Sequence, residues 1–220
     1  CDNSTIIKSQ NGHEQGNGTD VGNPDEGFED AAWVSGENSE IKYCYVKNHT
    51  FGVDDLFIEE SLNKAFQTWS QYIITKKINE KIESELSPFT ELPTPDSKKI
   101  YLLPLKSKRL SQCDNTENVK FLFGVDDSLV KSKISKSGET TALAIPTEIA
   151  LHSGNGHGII WVKHVADIQT YDSKIVPYWS LPNALSGVLI HEIGHVYGVP
   201  HIEGTIMRSD VTELIWPCTY

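Results

Sequence analysis

The sequence lacks several features that would place it in common classes of protein. No stretch approaches the roughly 18 consecutive apolar residues that a transmembrane helix needs. Lys and Arg number 19 against 30 Asp and Glu, so no basic patch suggests a nucleic-acid partner. The chain also has no CxxC pair and no Gly-x-Ser-x-Gly elbow, which argues against a thiolate zinc knuckle and a serine hydrolase.

Cysteines are few and widely separated: Cys1, Cys44, Cys113 and Cys218. Such spacing suits one or two disulfides in an exported protein, or buried thiols in a cytosolic one, and we favour disulfides. A chain that opens on Cys1 resembles the mature start of a bacterial lipoprotein. A lipid anchor at Cys1 is therefore one expectation, and an ordinary disulfide cysteine or a truncated start is the other.

Acidic residues are concentrated at the start of the chain. Residues 1–40 hold nine acids and one base, so they carry −8 of the total net charge of −11. Because this segment has few apolar residues, it cannot bury enough surface to offset its ordering entropy, and we expect a mostly flexible tether. Within it, residues 25–34 contain Phe28, Trp33 and Val34, which could dock on the folded domain expected at 41–220.

Hydrophobic periodicity predicts an α+β (α/β) sandwich. A first strand at 41–46 is followed by a long helix, capped by Asp54 or Asp55 and running to about Glu83. Further strands are expected at 100–105, 119–125, 142–146 and 158–164, with polar connectors between them. Pro182 then opens a second helix that extends to Tyr197.

The second helix contains a pattern typical of a metal site. His191 and His195 are four residues apart, so they lie on one helical face, and both imidazoles can reach one Zn²⁺ at about 2.0–2.1 Å. Glu192 projects to a different side, where it can reach a water on the metal rather than the metal itself.

A third ligand is expected because a catalytic zinc usually takes three protein ligands and keeps the fourth position for water. Gly198 can adopt the positive φ that ends a helix, and Pro200 prevents the helix from resuming. The turn therefore brings His201 back toward the metal. Zinc lowers the pKa of its bound water to about 7, and Glu192 can take that proton and pass it to a leaving amine. These residues predict a zinc-dependent endopeptidase.

The pattern HExxHxxGxxH resembles the long zinc signature of the metzincin metallopeptidases. Residues 204–207 resemble the Met-turn that this family places beneath the zinc, and Met207 is the only Met in the sequence. The opening strand and helix look like those of the matrixin group. However, matrixins, astacins and reprolysins carry Ser, Glu and Asp directly after the third His, where this chain has Ile202. Ser209 replaces the Tyr that astacins and serralysins place two residues after the Met.

The resemblance implies a mixed twisted sheet with an antiparallel edge strand, a Met-turn and a short C-terminal subdomain. It also implies a secreted or cell-envelope monomer that binds a peptide or protein substrate in an extended conformation along the edge strand. Either 154–158 with 159–162, or 142–146, could supply that edge. Residues 208–215 are expected to line the pocket for the residue after the cleaved bond.

Several alternatives stay open. His152, His157 and His164 are candidates for a second metal, although a satisfied or solvent-facing role is favoured for each, and neither calcium nor a second zinc is supported. Acids at 25–30 could block the zinc in a pro-like state. The chain could also be a zinc-stabilised binding or adhesion module, or a zinc hydrolase of a non-peptide amide. A thermolysin-like site with a distant Glu ligand is disfavoured by His201.

Overall fold

A five-stranded mixed sheet forms the framework of the protein in the computed structural model, which describes residues 32–34, 40–79, 104–134, 140–148, 156–165, 168–171, 174–201 and 205–207. The strands are β1 Glu40–Lys47, β2 Lys106–Arg109, β3 Val119–Phe123, β4 Ala142–Glu148 and β5 His157–Val162. Their order across the sheet is β2-β1-β3-β5-β4. The first four strands in this order run parallel, and β4 is antiparallel to β5.

The antiparallel edge strand is β4. Sequence reasoning could not choose between 142–146 and the segment around 159–162, and the structure places the latter inside the sheet, between β3 and β4. Pro146 lies in β4, opposite Gly158. A proline lacks the N–H that a central strand needs, so an edge position suits it. The predicted mixed sheet with an antiparallel edge is confirmed.

Two long helices cover one face of the sheet. Helix α1 spans Asp55–Asn79, the short α2 spans Ser128–Lys133, a 3₁₀ turn covers Tyr178–Ser180, and α3 spans Ala184–Val196. The Asp54 side chain accepts a hydrogen bond from the Phe57 amide at 2.8 Å, which is the predicted cap of α1. The predicted end near Glu83 lies outside the described residues. Helix α3 begins two residues after Pro182, because Asn183 adopts a left-handed φ of 63° before it.

The main core lies between these two helices and the sheet. Alternate residues of β1, β3 and β5, including Tyr43, Phe121 and Ile160, belong to the same buried cluster as Trp69 of α1 and Leu189 of α3. On the opposite face a smaller cluster joins β3, β4 and β5 to α2 through Leu122, Val130, Leu143, Ile145 and Trp161. The architecture is therefore an α+β sandwich, as predicted.

Some elements differ from the predictions. The strand expected at 100–105 is displaced: residues 104 and 105 are not in a strand, residues 100–103 lie outside the described part, and β2 begins at Lys106. Because β2 is an edge strand with mostly exposed residues, it has no apolar run that marks it. Helix α2, capped by Asp127, lies where a connector was expected. The antiparallel pair of β6 Ile168–Tyr171 and β7 Lys174–Val176 was not predicted.

A disulfide joins Cys44 of β1 to Cys113, with the two Cα atoms 5.4 Å apart. Cys44 points to the face opposite α1 and α3, since Tyr43 and Tyr45 on either side contact the main core. Cys113 lies in the connection from β2 to β3, which must pass over β1 because β1 lies between them. The bond therefore fixes this crossover to the sheet. Cys1 and Cys218 lie outside the described residues.

No helix in the described part of the chain is long and apolar enough to cross a membrane.

Removal of the disulfide should destabilise the fold. The bond closes a sequence separation of 69 residues, and the loss of that constraint on the unfolded chain corresponds to about 4 kcal/mol at 25 °C. Guanidinium unfolding of the Cys44→Ala/Cys113→Ala variant should show this decrease. Reductant should lower the wild-type unfolding midpoint by more than that of the variant. An unchanged wild-type midpoint under reducing conditions would contradict a structural role for the bond.

Candidate metal centre

Three ionisable side chains lie on a helix that is buried along its whole length and mostly apolar. Every residue of α3 is buried, and among them His191 is 3% exposed, Glu192 4% and His195 9%. Burial of imidazole and carboxyl groups costs free energy unless they find partners. The presence of all three on a buried helix therefore indicates that they have a role other than packing in the core.

The end of α3 is shaped by Gly198, which has a φ of 74°. The Gly198 amide donates to the His195 carbonyl and the Val199 amide to the Gly194 carbonyl, each at 3.0 Å. This pair of bonds is the Schellman motif, which satisfies the last carbonyls of a helix and needs a left-handed residue, usually Gly. The predicted helix-ending turn is present, and it directs the chain toward His201.

The three histidines converge through their Nε2 atoms. Nε2 of His191 lies 3.2 Å from Nε2 of His195 and 3.2 Å from Nε2 of His201. Nδ1 of His191 lies 2.8 Å from the Ile206 carbonyl, and Nδ1 of His195 lies 2.9 Å from the Val199 carbonyl. Since a carbonyl can only accept, both Nδ1 atoms carry the proton, and both Nε2 atoms present lone pairs when the rings are neutral.

This arrangement fits a metal ion. Two nitrogens bound tetrahedrally at about 2.0–2.1 Å are separated by about 3.3 Å, close to the observed 3.2 Å. The Nδ1 contacts to backbone carbonyls are the orientation that metal-bound histidines usually have. Lone pairs that face one another at this distance repel unless a cation lies between them. His191, His195 and His201 could therefore hold one metal ion, as their sequence spacing predicted.

Electrostatics also favours a neutral His195. Burial, followed by the neighbouring His201, lowers the pKa of His195 to about 3. At neutral pH the ring is therefore uncharged, which is the form that binds metal.

Met207 lies directly against helix α3. Its side chain is fully buried, and a Cβ added to Gly194 would lie 2.7 Å from Cε of Met207 and 2.7 Å from Cζ2 of Trp69. The residue before it, Ile206, supplies the carbonyl that meets Nδ1 of His191. The segment that resembles a Met-turn thus packs against α3 at Gly194 and contacts His191 through its backbone.

Two residues near the site had no functional role in the sequence analysis. Nε1 of Trp69 donates to the Ile190 carbonyl at 2.7 Å, immediately before His191, and the Trp69 ring lies 5.7 Å from that of Tyr197. In the sequence, Trp69 shows only the helical spacing of an apolar face. The missing side chain of Gly194 gives Met207 and Trp69 room to reach the helix.

Among the described residues, the candidates His157 and His164 are not brought together with this group. Nδ1 of His157 contacts the Glu117 carbonyl at 2.6 Å, and Nε2 of His164 contacts the Thr50 carbonyl at 2.5 Å, so each ring has a local partner. Cys44, Cys113 and Glu117 lie close together, but the two sulfurs are bonded to each other and are not thiolates. His152, Ile202, Ser209, the acids at 25–30 and the segment 208–215 lie outside the described residues.

No protein-family model matches the chain, and no curated protein matches it significantly. The chemistry of the site is therefore inferred from its own residues and their geometry.

Substitution of Gly194 tests the close packing beneath the histidines. Gly194→Ala should lower the free energy of unfolding by about 1–3 kcal/mol, because the new methyl group overlaps Met207 and Trp69. Urea denaturation of the metal-free protein measures this change. A double variant with Met207→Ala should lose less than the sum of the two single losses, because the methyl group enters space that Met207 has left. Fully additive losses would contradict the contact.

Proposed function

We propose that the protein is a zinc-dependent endopeptidase in which His191, His195 and His201 bind the metal and Glu192 is the catalytic base. The observation that carries this proposal is the convergence of three Nε2 atoms, two from the buried helix α3 and one from His201 beyond its end. Nε2 of His191 lies 3.2 Å from each of the other two, and α3 also holds the carboxylate of Glu192. Three protein ligands are the usual number for a catalytic zinc, whereas structural zinc sites take four.

Zinc is proposed because the donor set is entirely imidazole. Imidazole also suits copper, iron and nickel, but three histidines with no carboxylate among them are a common ligand set for catalytic zinc. When bound, zinc would acidify a water molecule and polarise the carbonyl of the scissile bond.

The protein's own contribution would be proton transfer and orientation. Glu192 would accept the proton of the attacking water and later deliver it to the leaving amine. Glu192 lies next to His191 on a buried helix and is 4% exposed, so little bulk water reaches it. Electrostatic interactions are stronger where water is excluded. The carbonyls of Ile206 and Val199 would hold two of the imidazole rings in the required orientation.

The edge strand β4 supports an extended peptide as the substrate. It pairs with β5 on one side and is the last strand in the described sheet, so its outer edge can offer backbone groups to another chain. Helix α3 packs against β4. A peptide added along this edge would therefore run close to the helix that carries the histidines.

Membership of the metzincins is part of this proposal. The spacing of the three histidines, the left-handed Gly198 and the buried Met207 beneath Gly194 support it. An exported location is supported by the disulfide, because such bonds persist in oxidising compartments. A binding module and a non-peptide amide hydrolase would use the same metal site as the endopeptidase. Cleavage distinguishes the three, because the module would cleave nothing and the hydrolase would cleave an amide that is not a peptide bond.

The Glu192→Ala variant separates the enzyme from a binding module. We expect it to retain one zinc per chain and to lose cleavage of a denatured-protein or peptide library by about 10²- to 10⁴-fold, the usual contribution of a general base. Metal analysis and mass spectrometry of the products measure the two effects. A wild-type protein that binds zinc but cleaves no peptide would refute the endopeptidase.

Two histidine variants provide matched controls for that experiment. His201→Ala should lose both zinc and cleavage, whereas His164→Ala, an exposed histidine outside the triad, should keep both. Chelation of the wild-type protein should abolish cleavage, and added zinc should restore it.

Deletion of the acidic segment tests whether it inhibits the enzyme. The deletion should remove residues 1–31 only, because Trp33 and Val34 are buried in the core and β1 begins at Glu40. We expect a cleavage rate within about twofold of the full chain, since charges on a solvated segment are screened beyond about 8 Å at physiological salt. A large increase in rate would instead indicate a pro-like inhibitory role.

A further inference from the structure

A short N-terminal segment is built into the core beside the metal helix. Trp33 is 2% exposed and Val34 1%, and both belong to the main cluster. The Trp33 amide donates to the Val196 carbonyl at 2.9 Å, and the Trp33 carbonyl accepts from the Gly156 amide at 2.8 Å. The backbone of one residue therefore links the last residue of α3 to the start of β5.

The bond to Val196 completes the end of the metal helix. The last four carbonyls of a helix lack partners within it and must find them elsewhere. Three of these are served locally, by the amides of residues 197–199, which bond the carbonyls of Ile193, Gly194 and His195. The fourth, that of Val196, accepts from Trp33. The turn that follows His195 and leads to His201 thus depends on a residue from the far end of the chain.

The indole ring of Trp33 packs closely against Gly158 of β5. A Cβ added to Gly158 of β5 would overlap the six-membered ring of Trp33. The sheet therefore approaches the indole at the one position in β5 that has no side chain. This packing fixes the segment in place, so that the Trp33 amide stays directed at Val196.

We propose that Trp33 is a positioning residue for the metal ligands, an inference that rests on the metal site of the proposed function. Trp33 completes the cap of α3 and so fixes the last turn of the helix, which carries His195. It also fixes the chain reversal that places His201 near the other two histidines. Loss of this anchor loosens the geometry of the ligand set without removing a ligand.

The test compares metal binding by the full-length wild type and by the Trp33→Ala variant. We expect zinc affinity, measured by competition with a chelator, to fall on the order of 10- to 100-fold, the range found when a group that orients a ligand is removed. The absorption spectrum of the Co²⁺-loaded variant should lose intensity or shift, because the coordination geometry is less regular. Trp33→Phe should restore most of the affinity and the spectrum.

Two controls separate positioning from general destabilisation. Trp161→Ala removes a tryptophan from the cluster on the opposite face of the sheet, so it should lower the unfolding midpoint yet leave zinc affinity within about twofold. Deletion of residues 1–31 retains the anchor and should leave affinity unchanged. If Trp33→Ala fails to fold by circular dichroism, Trp33→Leu takes its place, with a smaller loss in the same direction.

The outcomes are distinct. Wild-type affinity and an unchanged Co²⁺ spectrum in folded Trp33→Ala, or in Trp33→Leu where that variant replaces it, would overturn the role of Trp33 while leaving the metal site intact. A loss of affinity of equal size in Trp161→Ala would overturn it as well. Failure of the wild-type protein to bind zinc would refute the metal site itself.

Discussion

The convergence of His191, His195 and His201 depends on the reversal of the chain at Gly198. A helix that continued past Val196 would carry the following residues away from His191 and His195. The positive φ of Gly198 and the two Schellman hydrogen bonds stop the helix there. The reversal also places the Val199 carbonyl against Nδ1 of His195, so the same turn both returns His201 and orients a ligand that precedes it.

Packing around α3 makes this reversal possible. Trp69 of α1 bonds the carbonyl of Ile190 on one side of the histidines, and Met207 fills the space beside Gly194. Trp33 bonds the carbonyl of Val196 at the other end. These three residues come from distant parts of the sequence, and together they fix the helix along the stretch that carries the ligands. Contacts of this kind around a group of side chains keep their positions as accurate as metal binding requires.

The sequence was sufficient to predict the fold class and the three histidines that the structure brings together. The periodicity of α1 marks its buried face, and the spacing of His191, His195 and His201 is tied to helical geometry, which is local. The position of β4 at the edge could not be predicted, because β4 and β5 are both short and apolar and only their pairing distinguishes them. The same limit applies to the contacts of Trp33 with α3 and β5, which depend on long-range packing that leaves no local pattern.

The most direct test of the central claim is anomalous diffraction at the zinc absorption edge from crystals of the protein grown with zinc. The account predicts one anomalous peak per chain, about 2.0–2.1 Å from the Nε2 atoms of His191, His195 and His201. Absence of a peak at this position, or a peak bound to other residues, would contradict it.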